Sequence, residues 1–174
     1  MKTTVFIAPP TPSPRTGDSE PVVYDEATLW AGDLVVDTAP IRMSTVLGSC
    51  VSVCLFDPQH GFGGMNHYLV PRGGRSLIHG DWAIPQLVEE MQTRGSKRSI
   101  LQGKIFGGGS PLRLANEELA IGDANVAIAR ETLEQLGIPI VAERVGHNGG
   151  LRLFFENWSG VVWVRRQATG GKNG

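Results

Sequence analysis

Hydrophobic residues recur along this chain with two different periods, and the change from one to the other marks out the elements. The run Val51–Phe56 (VSVCLF) is apolar and β-branched and ends at Asp57-Pro58, which predicts a strand followed by a turn. Gly63–Val70 (GGMNHYLV) reads as the returning strand, and Leu34–Val36 as a short strand before both. Ile84, Leu87, Val88 and Met91 then recur at i, i+3, i+4 and i+7. That spacing predicts a helix over 82–94, with Asp81 as its cap and Pro85 tolerated only because it lies near the first turn. Val126, Ala129, Leu133 and Leu136 form a second stripe, predicting a helix over 124–136 capped by Asp123 and stopped by Gly137. Lys104–Phe106, Ile138–Val145, Leu151–Glu156 and Val161–Arg166 read as further strands, the last two as a hairpin around Asn157–Gly160. Strands and helices are mixed without a clean strand–helix–strand repeat. The fold class is α/β, a layered domain with mixed, largely antiparallel strands.

The ends differ from the middle. Five prolines fall within the first 21 residues, among Thr, Ser and Gly, so residues 1–24 are expected to be a disordered tail. Met1–Ala8 is apolar, but it is stopped by Pro9-Pro10 before it reaches the length of a secretory core. Ala168–Gly174 is polar and Gly-rich, a flexible tail, which leaves 25–167 as the domain.

Composition narrows the functions open to such a domain. The chain has 174 residues with 16 Lys and Arg against 17 Asp and Glu, so no basic excess exists to hold nucleic acid through its phosphates. No apolar run approaches the roughly 20 residues of a membrane span. Cys50 and Cys54 are the only cysteines, too few for a disulfide framework or a four-cysteine zinc site. The four histidines lack metal-ligand spacing, and Gly107–Ser110 is not followed by the Lys of a phosphate loop, so neither metal nor cofactor is expected. That glycine run reads as a tight turn, Trp82, Trp158 and Trp163 as packing residues, and Arg165-Arg166 as an exposed strand end.

The densest chemistry lies in STVLGSCVSV, followed by GGMNH. If strand 51–56 turns symmetrically about Asp57–His60, paired residues have numbers summing to 117, and Cys50 stands directly opposite His67, with Cβ atoms roughly 4.5–5.5 Å apart. A slip of one residue would send His67 to the other face. A thiol beside an imidazole can give up its proton to it, forming a thiolate–imidazolium pair with a lowered thiol pKa and a nucleophile able to attack an amide carbon. Ser44 or Thr45 could fix the imidazole's tautomer, and backbone N–H groups near Ser49 and Cys50 could hold an oxyanion. The same residue types also suit a small buried cysteine and a core histidine, which is how Cys54 is read.

These residues resemble the CheD family of chemoreceptor glutamine deamidases. LGSCVSVCLFDP and GGMNHYLVP carry the likeness, supported by HGDWAI, KIFGGGS and IGDANVAIARETLEQLGIPIVAERVG, over about 30–166. The resemblance implies an α/β sandwich related to the catalytic domain of the cytotoxic necrotizing factor toxins. It implies a cytoplasmic enzyme without a cofactor that hydrolyses glutamine side chains of methyl-accepting chemotaxis receptors to glutamate and ammonia. Cys50 would be the nucleophile and His67 the base, with Thr45 or Ser44 as the third member. It also implies a possible partner, the phosphatase CheC. A non-catalytic adaptor binding receptors or CheC is the alternative. Arg144–Asn148 and Leu151 depart from the family pattern, which bears on substrate contacts and leaves the Cys–His pair untouched.

Overall fold

In the computed structural model, residues 20–110 and 116–167 are described, with side chains from 121 onward in the second segment. Two sheets are stacked, and two helices cover one of them. The first sheet has the order β1 (Asp25–Thr28), β3 (Ile41–Leu47), β8 (Gly150–Glu156), β9 (Val162–Gln167). The second has the order β2 (Leu34–Asp37), β5 (Phe62–Asn66), β4 (Val51–Asp57), β6 (Gln102–Gly107), β7 (Ile140–Val145). Helices α1 (Gly80–Thr93) and α2 (Asn116–Gln135) lie on the outer face of the second sheet.

Strand alternation divides the core between these layers. Val51, Val53 and Leu55 of β4 point to the helices, where they meet Ile84, Leu87, Met91, Ala129 and Leu133. Cys54 of the same strand points the other way, to Met65 and Phe106, against Met43, Leu47, Leu153 and Phe155 of the first sheet. Both faces of β4 are therefore buried, and its sequence is a continuous apolar run for that reason. Pairing is antiparallel except between β1 and β3 and between β6 and β7, as the mixed pattern predicts.

Several local expectations are corrected. Strands β1 and β3 were not expected. In β3, Arg42 is buried through its ion pair with Glu156 (2.9 Å), and Thr45 points inward, so polar residues occupy buried positions and the alternation is masked. Neither Asp81 nor Asp123 caps a helix. The first N–H groups of α1 are taken by the carbonyls of Val70 and Pro71, and its cap residue, His79, makes no side-chain cap bond. Helix α2 begins at Asn116 and runs straight through Gly122, where a Cβ would stand 2.6 Å from the Gly108 carbonyl oxygen; this glycine permits a close approach and does not break the helix.

The β4–β5 hairpin is two residues out of the expected register. Pairs sum to 119, from Asp57↔Phe62 to Cys54↔Met65 and the isolated bridge Val51↔Tyr68. Asp57 is the cause. Its Oδ1 accepts the N–H groups of Gln59 and His60 (both 2.9 Å), and its Oδ2 accepts Ser96 Oγ (2.5 Å) and pairs with His60 Nδ1 (2.8 Å). These bonds keep Asp57 in the strand and push the turn onto Pro58–Gly61, where Gly61 supplies the left-handed residue (φ 68°). The returning strand stops at Asn66, whose Oδ1 accepts the Val53 N–H (2.9 Å).

The predicted tails over 1–24 and 168–174 lie outside the described residues, except for 20–24. There Tyr24 stacks on Trp158 at 4.9 Å with Arg42 over its ring.

Candidate active site

Cys50 stands where the chain leaves one sheet for the other. Strand β3 ends in the first sheet at Leu47, Gly48 and Ser49 make the crossing, and β4 begins in the second sheet at Val51. The Gly-rich turn after β6 holds this crossing. Gly108 N–H donates to the Cys50 carbonyl and Gly109 N–H to the Gly48 carbonyl, both at 2.8 Å. Gly107 makes the approach possible, since it has φ 106° and a Cβ there would lie 2.2 Å from the Cys50 carbonyl oxygen.

His67 sits just past the end of β5. Its N–H donates to the Asp33 carbonyl (3.0 Å) and its carbonyl accepts from Gly32 N–H (2.8 Å), so the turn after β1 fixes its backbone. In the observed register Ser52 stands opposite His67, and Cys50 is two residues along on the same face. A slip of two preserves the face that a slip of one would have lost. The pair is diagonal rather than directly opposed, at a strand spacing of roughly 7–8 Å that long side chains bridge.

Thr45 reaches His67 from the other sheet. Its Oγ1 donates to the Leu29 carbonyl (2.7 Å) and lies 2.8 Å from His67 Nδ1. The hydroxyl has one proton and spends it on Leu29, so it accepts from the ring, and Nδ1 carries the hydrogen. Nε2 is left with a bare lone pair, buried and without a partner. Ser44 faces the other way, to Thr28 Oγ1 at 3.3 Å. Of the two upstream hydroxyls, it is Thr45 that meets the imidazole.

Burial pushes the Cys50 thiol above its ordinary range, opposed by its own N–H. Burial also pushes His67 below the usual imidazole value, opposed by the Leu29 carbonyl and the Asp33 carboxylate. Both directions favour the uncharged forms, and among the described residues no hydrogen bond joins the thiol to the ring. Desolvation thus works against the thiolate–imidazolium pair, since it penalises the charged form of each group.

Asn125 on α2 was not singled out from the sequence. Its Nδ2 donates to the carbonyls of Ser49 and Leu69, both at 2.9 Å, and its main-chain carbonyl accepts Tyr68 Oη at 2.5 Å. One fully buried side chain thus ties the segment of Cys50 to that of His67. The signal for it is positional: Asn125 falls on the stripe of Ala129 and Leu133, where an apolar residue would be expected.

The remaining candidates are placed elsewhere. Cys54 is buried between the sheets with its thiol pushed far up by burial. His60 bonds Asp57, and His79 Nδ1 lies 3.0 Å from the Gly74 carbonyl. His147 is buried against Gly109, its Nδ1 2.8 Å from the Gly149 carbonyl.

The sequence comparisons point in one direction. The family model for CheD chemotactic sensory transduction matches residues 71–166, a stretch that begins four residues after His67. A "Probable chemoreceptor glutamine deamidase CheD 1" of Anaeromyxobacter dehalogenans is 37% identical over 174 residues, covering 95% of this chain and 99% of its own. A "Probable chemoreceptor glutamine deamidase CheD" from Rhodospirillum rubrum is 41% identical over 140 residues, covering 79% of this chain and 80% of its own. Among solved structures, Neisseria meningitidis protein NMB0706 is similar at 12% identity and a TM-score of 0.42, over 74% of this chain and 65% of that one.

Proposed function

The chain belongs to the CheD family, and from that premise we propose that it deamidates glutamine side chains of chemoreceptors, with Cys50 as nucleophile, His67 as base and Thr45 orienting His67. The observation that carries this reading is the bare, buried Nε2 of His67, whose tautomer is set by Thr45, on the face that Cys50 shares.

A glutamine carboxamide enters, and the Cys50 sulfur attacks its carbonyl carbon as Nε2 takes the thiol proton. A neutral imidazole is the required form for that transfer, so the depressed His67 value favours it. The carbonyl oxygen gains negative charge. The N–H groups of Ser49 and Cys50 donate to no backbone carbonyl among the described residues, and with the Cys50 N–H already turned toward its own sulfur they are the donors nearest the attacking atom for this oxyanion. The carbon–nitrogen bond then breaks, the nitrogen takes the proton from imidazolium and leaves as ammonia, and a thioester remains. Water attacks the thioester with Nε2 again accepting a proton. The thiolate takes that proton back, and glutamate is released. No metal or cofactor enters the sequence of steps.

The test is ammonia release from a chemoreceptor cytoplasmic domain. Cys50→Ala should abolish it and Cys54→Ala should retain most of it. Equal losses from two folded variants would overturn the assignment.

A further inference from the structure

Four arginines collect at the end of the sandwich that carries the Cys50 crossing, and none has a carboxylate partner. Arg144, Arg152, Arg165 and Arg166 are all exposed, and none joins an ion pair among the described residues. The acidic side chains on the same three strands are already engaged. Glu143 binds Arg130 at 2.8 Å, and Glu156 binds Arg42. The chain as a whole has a net charge of −1, so this positive charge is local.

Strand pairing sets the arrangement. Arg152 and Arg165 are directly paired across β8 and β9, an opposition of like charges that costs the sheet stability. Arg152 lies over the Phe154 ring at 5.6 Å, which supports its guanidinium without neutralising it. Arg166 pairs with Leu151, and Leu151 pairs with Leu47, three residues before Cys50. Arg144 pairs with Phe106 on the strand that leads into the Gly-rich turn. His147 is packed on Gly109, and its protonation is held down first by burial and then by the charges of Arg166 and Arg144. Arg144 and Arg166 are thus on the inter-sheet faces of β7 and β9 and continue the rim of the site, while Arg152 and Arg165 stand on the outer face of the first sheet around the same edge.

We propose that these four arginines form a recognition surface for an acidic segment of the protein substrate, so that the enzyme selects glutamines flanked by carboxylates. The proposal rests on the deamidase reading for what the bound segment is. The surface itself follows from the charge placement. Exposed pairs of this kind are each weak, but several acting together raise both encounter rate and affinity, and salt screens them.

The test is binding to the Cys50→Ala protein, which keeps failure of the chemistry separate from failure of this surface. The probe is a synthetic peptide with one glutamine between glutamates, compared with the same peptide carrying serines in their place. At low salt the acidic peptide should bind roughly tenfold tighter, and the preference should vanish near 1 M salt, where the screening length is about 3 Å. Adding Arg152→Gln with Arg165→Gln, or Arg144→Gln with Arg166→Gln, should remove most of the preference, whereas Arg152→Lys with Arg165→Lys should keep it. Equal affinity for the two peptides, or a preference that survives either glutamine pair, would overturn the proposal. So would tighter binding of a single-stranded DNA oligonucleotide than of the acidic peptide.

Discussion

Burial of the His67 imidazole makes a definite demand on pH. His67 is pushed below the usual imidazole value of 6.5, so it becomes charged, and useless as a base, only in more acidic solution. The predicted kcat/KM is flat through neutrality, with an acid limb whose midpoint lies below 6.5; a midpoint at or above that value would contradict the assignment. The same displacement bears on folding. The unfolded chain takes up a proton on His67 before the folded one does, so stability present above pH 6.5 is lost as pH falls through the lower folded value. Thr45→Val removes the hydroxyl that fixes the ring and keeps the side-chain shape. Turnover should fall about tenfold to a hundredfold, while Ser44→Ala should change it little. Comparable effects from the two variants would mean that the Nδ1 bond is not what matters. At this scale the sequence was partly legible. Cys50 and His67 stood out by residue type, but Ser44 and Thr45 could be separated only by knowing that Thr45 shares the inward face of β3 with Met43 and Leu47.

Elements hold these residues in place, and here the register and the clamp were the hard parts. The hairpin was visible in VSVCLFDP and its returning run. Its pairing was not, because the turn length depends on which atoms Asp57 binds and on Gly61 taking a left-handed conformation. The face of His67 survived because the error was two residues and not one. Asn125 was harder to see, since its partners are main-chain carbonyls that no side-chain pattern displays. Asn125→Ala would leave the Ser49 and Leu69 carbonyls without their donor inside the protein, at a cost of roughly 2–4 kcal/mol. Thermal unfolding should register that loss. Single-turnover deamidation should slow more than the stability change alone explains, because the Cys50 and His67 segments lose their common tie. A variant that unfolds earlier but keeps full turnover would make Asn125 purely structural.

At the scale of the whole molecule, the site exists because two sheets are stacked and the chain crosses between them at Gly48–Ser49. Cys50 and His67 flank β4 and β5 of the second sheet and Thr45 lies in the first, so the His67–Thr45 bond spans the layers. The layered α/β class could be read from the alternation of strands and helices. The partition into two sheets could not, because β1 and β3 were hidden by inward polar residues and by the buried Arg42–Glu156 pair. Among the described residues no helix is long and apolar enough to cross a membrane. Peptide-level mass spectrometry of a receptor cytoplasmic domain incubated with the protein tests the central claim most directly. Thiol-dependent hydrolysis of a carboxamide converts glutamine to glutamate, a gain of about one dalton at a side chain with the backbone intact. That gain should appear at specific glutamines with the unaltered protein and at none with Cys50→Ala. Cleaved or cross-linked receptor, or the same gain with Cys50→Ala, would contradict it.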